Sequence, residues 1–236
     1  MLEIFQILKH IDYEPFILSL KLASTTTIIL FILALPLAWY LSNTKSKCKP
    51  IIETFTALPL VLPPSVLGFY ILYALSYNSF FGRFLEHSLG IKLVFTFSGL
   101  VFASCIYSLP FMVQPLQAGL EGINKAMLEA SYISGKSKFV TLFKVALPNM
   151  KPAVLIALIV TFAHTIGEFG VVLMVGGNIP SQTKVASVAI YEFVEVMDYK
   201  SAHVYSALML IISFVILLSV YIFNHKQNIK ISSFPK

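Results

Sequence analysis

Charge is scarce in this sequence: only 12% of its 236 residues are Asp, Glu, Lys or Arg, half the roughly 25% carried by soluble domains. So few charges cannot coat a water-facing surface, and with 57% hydrophobic residues the chain must be covered largely by lipid. Cysteine is nearly absent. Cys48 and Cys105 stand far apart without a paired motif, which excludes a disulfide framework or a cysteine-based zinc site. Arginine occurs once, as Arg83. The net charge of +6 does not point to nucleic acid, because the basic residues lie in short clusters between apolar runs, as in the loops of membrane proteins. No basic n-region or small-residue cleavage site opens the chain, so no cleaved signal peptide is expected.

What remains is apolar and long. A hydrocarbon core of about 30 Å needs roughly 20 apolar residues in a helix. Stretches 16–41, 51–77, 93–113, 153–175 and 204–223 meet that length, and 185–197 is apolar enough for a re-entrant sixth. The expectation is an all-α polytopic membrane protein of five or six transmembrane helices. Residues 1–15 carry Ile4, Phe5, Leu8 and Ile11 at helical spacing; this segment is too short to span and is expected along the interface. Residues 16–224 form the transmembrane domain and 225–236 a tail. Lysines 45, 47 and 49, those between 125 and 151, and 226, 230 and 236 number eleven on one side, against five basic residues (Lys9, Arg83, Lys92, Lys184 and Lys200) on the other. The richer side is cytoplasmic by the positive-inside rule, which puts the N-terminus outside and the C-terminus inside. Lys21, within the first span, is expected to snorkel outward.

Prolines interrupt these spans: Pro36 in the first, Pro59, Pro63 and Pro64 in the second, Pro110 and Pro115 in the third. Each removes a backbone donor and kinks a helix, and lipid cannot satisfy the freed carbonyls. Pro36 reads as ordinary kinking. The Leu60-Val61-Leu62-Pro63-Pro64 cluster predicts a broken helix lining a path. No internal repeat is visible, which weighs against an inverted-repeat secondary transporter.

Between the third and fourth spans, 119–151 is more than a linker. Met127, Leu128, Tyr132, Ile133, Val140, Leu142, Phe143 and Val145 recur at spacings that suit short amphipathic helices. Gly135 supplies a turn between them and Pro148 closes the segment. A helix–turn–helix at the membrane face invites a soluble partner. Ala130 to Ser137 nearly spells a nucleotide-binding loop, but Ala130 stands where the first glycine is required, and no buried strand precedes it. The phosphate cradle depends on that context, so nucleotide must be hydrolysed by another subunit.

Glu129-Ala130-Ser131, then Gly135 after three residues, then Val145-Ala146-Leu147-Pro148 after nine more, resembles the EAA motif of ABC importer permeases. Ser131 stands for the second Ala and Val145 for Ile. The resemblance implies that 119–151 is the loop docking on an ATPase subunit, through Glu129, Ala130, Ser131, Gly135, Leu147 and Pro148. The stretch from Leu58 to Tyr70, containing Pro63, Pro64 and Gly68, is similar to the second-span signature of molybdate permeases. Gly167-Glu168-Phe169-Gly170 and Gly177-Asn178-Ile179-Pro180 resemble the same family's fourth-span and exit-loop patterns, a version of which sulfate and thiosulfate permeases share. Val171 and Ser181 stand where that family usually has Ala and Gly. The resemblance implies a homodimeric permease for molybdate or tungstate, with sulfate or thiosulfate as the alternative. It also implies an ATPase partner, a periplasmic or extracellular oxyanion-binding protein, a bacterial inner-membrane location, and no catalysis, metal or cofactor on this chain.

Glu168 is expected at bilayer depth one helical turn after His164. An acid there costs about 2.5–3.5 kcal/mol on insertion scales, so it should face protein or water. Two readings stand: Glu168 forms the gate or packs the dimer axis, or it forms a hydrogen-bonded pair with His164. A carboxylate repels a dianion, and Arg83 lies in an outer loop, so the permease is expected to be a weak-binding conduit. A membrane metalloenzyme built on His164 and Glu168 is a remote alternative, since catalytic zinc usually needs three protein ligands and His10, His87 and His203 are placed on the outer side.

Overall fold

The computed structural model describes residues 11–232, and every regular element among them is helical. The interfacial segment expected for 1–15 therefore lies, up to residue 10, outside the described residues. The first helix of the described residues is α1 (Glu14–Asn43), with Pro15 in its first turn, where proline's missing N–H is not needed. The second span is two helices, α2 (Lys49–Val61) and α3 (Pro64–Leu75), bent by 115° where the Leu60–Pro64 cluster predicts a break. A surface helix, α4 (Phe80–Leu89), is N-capped by the Ser79 hydroxyl, which accepts from Gly82 N at 2.8 Å.

The third span, α5 (Phe97–Glu121), starts at Thr96, whose hydroxyl accepts from Gly99 N at 3.2 Å. It runs through Pro110 and Pro115 to Glu121, about two turns past the expected end at 113. Leu116 and Leu120 on those turns are buried, and their packing against α1 keeps the helix going. The segment expected to begin at 119 therefore leaves the helix only after Glu121. It contains α6 (Lys125–Ile133), α7 (Lys138–Thr141), a π-turn (Leu142–Ala146) and α8 (Leu147–Asn149).

The fourth span departs most from expectation. Instead of one helix over 153–175, α9 (Lys151–Ile166) stops, Gly167–Phe169 is non-helical, and α10 (Gly170–Gly176) resumes. Stretch 185–197 forms α11 (Ala186–Glu195), whose ten residues extend about 15 Å, half a bilayer. The last helix, α12 (Tyr199–Ser232), continues beyond 223 into the expected tail. Among the described residues three helices (α1, α5 and the Tyr199–Ser219 part of α12) are long and apolar enough to span on their own, and up to five spans result if the bent pairs Lys49–Val61 with Pro64–Leu75 and Lys138–Asn149 with Lys151–Ile166 are each counted as one.

The helices are arranged around α1 and α5. At one end Leu30, Ala34, Leu41, Met112, Val113 and Leu116 close a core completed by Leu142, Ala146 and Ala157. At the other, Leu22, Leu100, Val172 and Val188 pack together. Within their most apolar windows α5 is 56% buried and the Tyr199–Ser219 part of α12 only 17%, so α5 is the central helix and that part of α12 leaves most of its surface to lipid or to another subunit.

Candidate coupling and translocation sites

The hairpin after α5 is built locally. Asn124 caps α6, its side chain accepting from Ala126 N at 3.0 Å. At the other end Gly135 has φ +74°, a left-handed conformation that closes helices at low cost only for glycine. Lys136 N donates to Ser131 O (3.2 Å) and Gly135 N to Tyr132 O (2.9 Å), satisfying carbonyls left over by the helix end. Ser137 then caps α7 by accepting from Val140 N at 3.3 Å. Buried Ser131 and Thr141 join the two arms through a 2.8 Å hydroxyl–hydroxyl bond. Gly135 and Lys136 thus make a hairpin turn with no strand before it, and the near-match to a nucleotide loop has no such structure.

Of the residues predicted for docking, Glu129 and Ala130 are exposed on α6, and Gly135 is exposed at the turn. Leu147 and Pro148 lie apart from them, at the root of the hairpin, where they line a cavity of about 380 Å³ with Phe31, Lys151 and Val154. Sequence reasoning did not single out Ile133 and Phe139 as site residues, yet they are 88% and 71% exposed. These two are apolar side chains exposed on a hairpin whose arms are capped.

The second site is the membrane break. With α9 ended at Ile166, the Glu168 carbonyl has no helical partner and accepts from Ser187 Oγ of α11 at 2.6 Å. The Glu168 side chain is 3% exposed, neither carboxylate oxygen has a hydrogen-bond partner of ordinary geometry among the described residues, and Ser104 of α5 is close enough to act on it. His164 is not its partner. The break removes the helical register that would have stacked the two. His164 Nδ1 and Thr165 Oγ1 each lie 3.0 Å from Ser108 Oγ, while the imidazole stacks on Phe111 and tilts against Tyr107, at centroid distances of 3.9 and 4.7 Å. Its other side faces a cavity of about 340 Å³ against Leu217 and Tyr221 of α12.

Pro63, Pro64, Gly68 and Gly170, predicted from separate motifs, come together. A Cβ on Gly170 would meet Pro64 Cβ at 2.9 Å, and one on Gly68 would meet Met174 Cβ at the same distance. These are closer than real Cβ contacts, so α3 and α10 pack through their glycines and the two broken spans touch at their breaks. Gly167 supplies the turn out of α9, and the Phe169 ring tilts against Tyr191 at a centroid distance of 5.0 Å.

Asn178 and Pro180 do not join this cluster. They lie in the loop after α10, fastened by buried Thr183, which donates to Gly176 O at 2.7 Å and accepts from Ile179 N at 3.2 Å. Lys184 pairs with Glu192 there; its hydrogen bond holds the Glu192 carboxyl below its ordinary pKa, with Asn178 adding to the effect. Ser181 has φ +61°, where the resembling family usually has glycine, and its hydroxyl donates to the Glu14 carboxylate at 2.5 Å.

Residues 31–231 match the family described as "Binding-protein-dependent transport system inner membrane component". The chain belongs to this family of ABC transporter permeases. Among its relatives, the molybdenum transport system permease protein ModB of Azotobacter vinelandii is 46% identical over 211 residues, 89% of this chain and 93% of that one. The probable sulfate transport system permease protein cysT of Helicosporidium sp. subsp. Simulium jonesii is 34% identical over 214 residues, 91% of this chain and 79% of that one. In fold the permease matches a bacterial ABC transporter importing alginate (TM-score 0.79, 16% identity, 95% of this chain and 83% of that one). It also matches the inward-facing methionine transporter MetNI (TM-score 0.68, 16% identity, 87% and 91%). The permease is thus a multi-pass membrane subunit of the ABC importer architecture. It carries transport rather than catalysis, and it works with an ATPase subunit and a substrate-binding protein. Among the described residues no three His, Cys, Asp or Glu side chains are grouped to hold a metal.

Proposed function

We propose that this permease imports molybdate or tungstate across the bacterial inner membrane as a homodimer, with its N-terminus outside and its C-terminus in the cytoplasm. The observation that carries the substrate is the 46% identity, across nearly the full length of both chains, to a molybdenum transport permease. Sulfate or thiosulfate is the second reading, supported by the 34% identity to a sulfate permease. The orientation rests on the eleven basic residues of one side against five of the other.

In this reading 16–224 is the translocation domain. The hairpin within 119–151 docks on the ATPase through Glu129, Ala130, Ser131 and Gly135 and through exposed Ile133 and Phe139, with Leu147 and Pro148 transmitting its movement to α9. ATP binding draws the two hairpins of the dimer together and opens the path outward; hydrolysis relaxes it inward. Pro63, Pro64, Gly68, His164, Gly167, Glu168, Phe169 and Gly170 form the path and gate, and Asn178 and Pro180 the outer rim that meets an oxyanion-loaded binding protein. Selectivity resides in that binding protein, because the path has no arginine and a carboxylate at its break.

Uptake by proteoliposomes holding this chain with its ATPase and binding protein tests the reading. ATP-dependent accumulation of labelled molybdate or tungstate that excess sulfate does not compete is expected. Sulfate accumulation would move the permease to the sulfate reading, and ATP-independent flux would overturn import by an ABC mechanism. Nanomolar oxyanion binding to the isolated permease would sink the weak-binding conduit.

A further inference from the structure

A long apolar groove lies between α1 and α5. The two helices run in the same direction, with Lys21 beside Phe97 at one end and Leu41 and Leu116 in one core at the other. The groove is lined by Thr25, Ile29 and Leu33 from α1 and by Phe97, Val101 and Leu109 from α5, and its volume is about 630 Å³. Thr25 to Leu33 is one stripe at every fourth position, and Phe97 to Leu109 rises about 18 Å at 1.5 Å per residue. That is close to half of a hydrocarbon core about 30 Å thick, the depth of one leaflet.

The groove has a charged mouth. The Lys21 amine stands 4.8 Å from the centroid of Phe97, and Lys21 also lines a second cavity of about 280 Å³ with Asp12, Glu14, Ser181 and Lys184. In that cavity Lys184 is held by Glu192 and Glu14 accepts from Ser181. Lys21 makes no ion pair among the described residues. Asp12 and Glu14 line this second cavity and not the apolar groove.

We propose that this groove binds a phospholipid of the leaflet on the Glu14 side, with one acyl chain between α1 and α5, the phosphate on Lys21 and the headgroup in the Asp12–Glu14 cavity. An amine held over an aromatic ring at the top of a leaflet-deep apolar channel is placed for a phosphate diester. The two carboxylates beyond it select a headgroup that carries its own hydrogen-bonding ammonium, so the ligand is phosphatidylethanolamine rather than phosphatidylglycerol. The inference concerns the α1–α5 face alone and stands whichever oxyanion is carried.

Native mass spectrometry of the detergent-extracted permease–ATPase complex, offered equal amounts of phosphatidylethanolamine, phosphatidylglycerol and phosphatidylcholine, tests it. The complex should retain phosphatidylethanolamine in preference to the other two. Lys21→Ala should lower that retention about tenfold, the value of one charge-assisted hydrogen bond. Ser98→Trp should lower it by filling the groove while Lys21 stays in place; Ser98 is exposed in the groove, so an elution volume and ATPase rate matching the wild type separate loss of lipid from loss of fold. Equal retention by all three proteins overturns the site. Preference for phosphatidylglycerol overturns the headgroup assignment. A wild-type complex that carries no lipid, its α1–α5 face covered by the second copy, overturns the proposal outright.

Discussion

The hairpin and the membrane break treat polarity in opposite ways. In water-exposed 124–149 both α6 and α7 start on a side-chain cap, the buried hydroxyl pair is satisfied, and what is left over is apolar: Ile133, Phe139 and Phe143 face outward. At the break, inside the helical core, what is left over is polar: a buried carboxylate whose oxygens lack partners of ordinary geometry among the described residues. Each region holds the group its surroundings disfavour. Residual apolar surface in water is relieved by a docking partner, whereas an unpartnered buried carboxylate is relieved by a change in its neighbours. A partner surface and a moving part are distinguishable on these grounds alone.

The comparison can be broken first at the turn. Gly135→Pro removes the N–H that bonds Tyr132 O and cannot adopt φ +74°, so ATP-driven uptake should be abolished while membrane insertion is unchanged; Glu129→Lys should do the same without touching the fold. Retained uptake in both would refute the docking role. Gly170→Val comes next. Its Cβ would press on Pro64, and a melting curve in detergent should show a loss of about 1–3 kcal/mol, as for other overpacked cores, together with lost uptake. Thermal stability unchanged by this substitution would mean that the two breaks are not in firm contact.

Glu168→Leu sharpens the contrast. Removing a buried polar group without a partner should stabilise the protein by about 1–3 kcal/mol and impair uptake; a destabilised variant would show that the carboxylate has a partner in the resting state. Ser131→Ala orphans the buried Thr141 hydroxyl and should cost about 1 kcal/mol, read as greater amide exchange across 131–141 with little change in the membrane helices. The smallest effect is expected at Ser181→Gly. Relief of the left-handed backbone, about 1 kcal/mol, is offset by loss of the bond to Glu14, so the melting temperature should move by no more than a few degrees.

The same contrast explains what could be read from the sequence. The hairpin is legible because its determinants are local: apolar residues at the spacing of short helices, a glycine where the chain must turn, and a proline near the end. The bend between α2 and α3 was legible for the same reason, since Pro63 and Pro64 announce it. The break in the fourth span was hidden, because 153–175 is a nearly unbroken apolar run, and the group that makes the break tolerable, Ser187, comes from α11 nineteen residues away. A usable signal was present in Gly167 and Gly170 flanking an acid. Pairing Glu168 with His164 assumed a helix continuing through residues that do not form one. Ser108, the actual partner of His164, lies fifty-six positions earlier, beyond the reach of any local pattern. The third span ended later than its hydropathy suggested, because the packing of Leu116 and Leu120 outweighs two prolines.

The contact of Gly170 with Pro64 has a mechanical consequence. Two interruptions in separate helices would ordinarily give a bundle two independent joints. Here they abut, with no room for even a methyl group between them, so they share one pivot. A tilt of α10 is expected to displace α3 with it. Damage at either break should therefore be repaired by second-site changes at the other, and a suppressor screen begun at Gly170 should return to Pro63, Pro64 and Gly68.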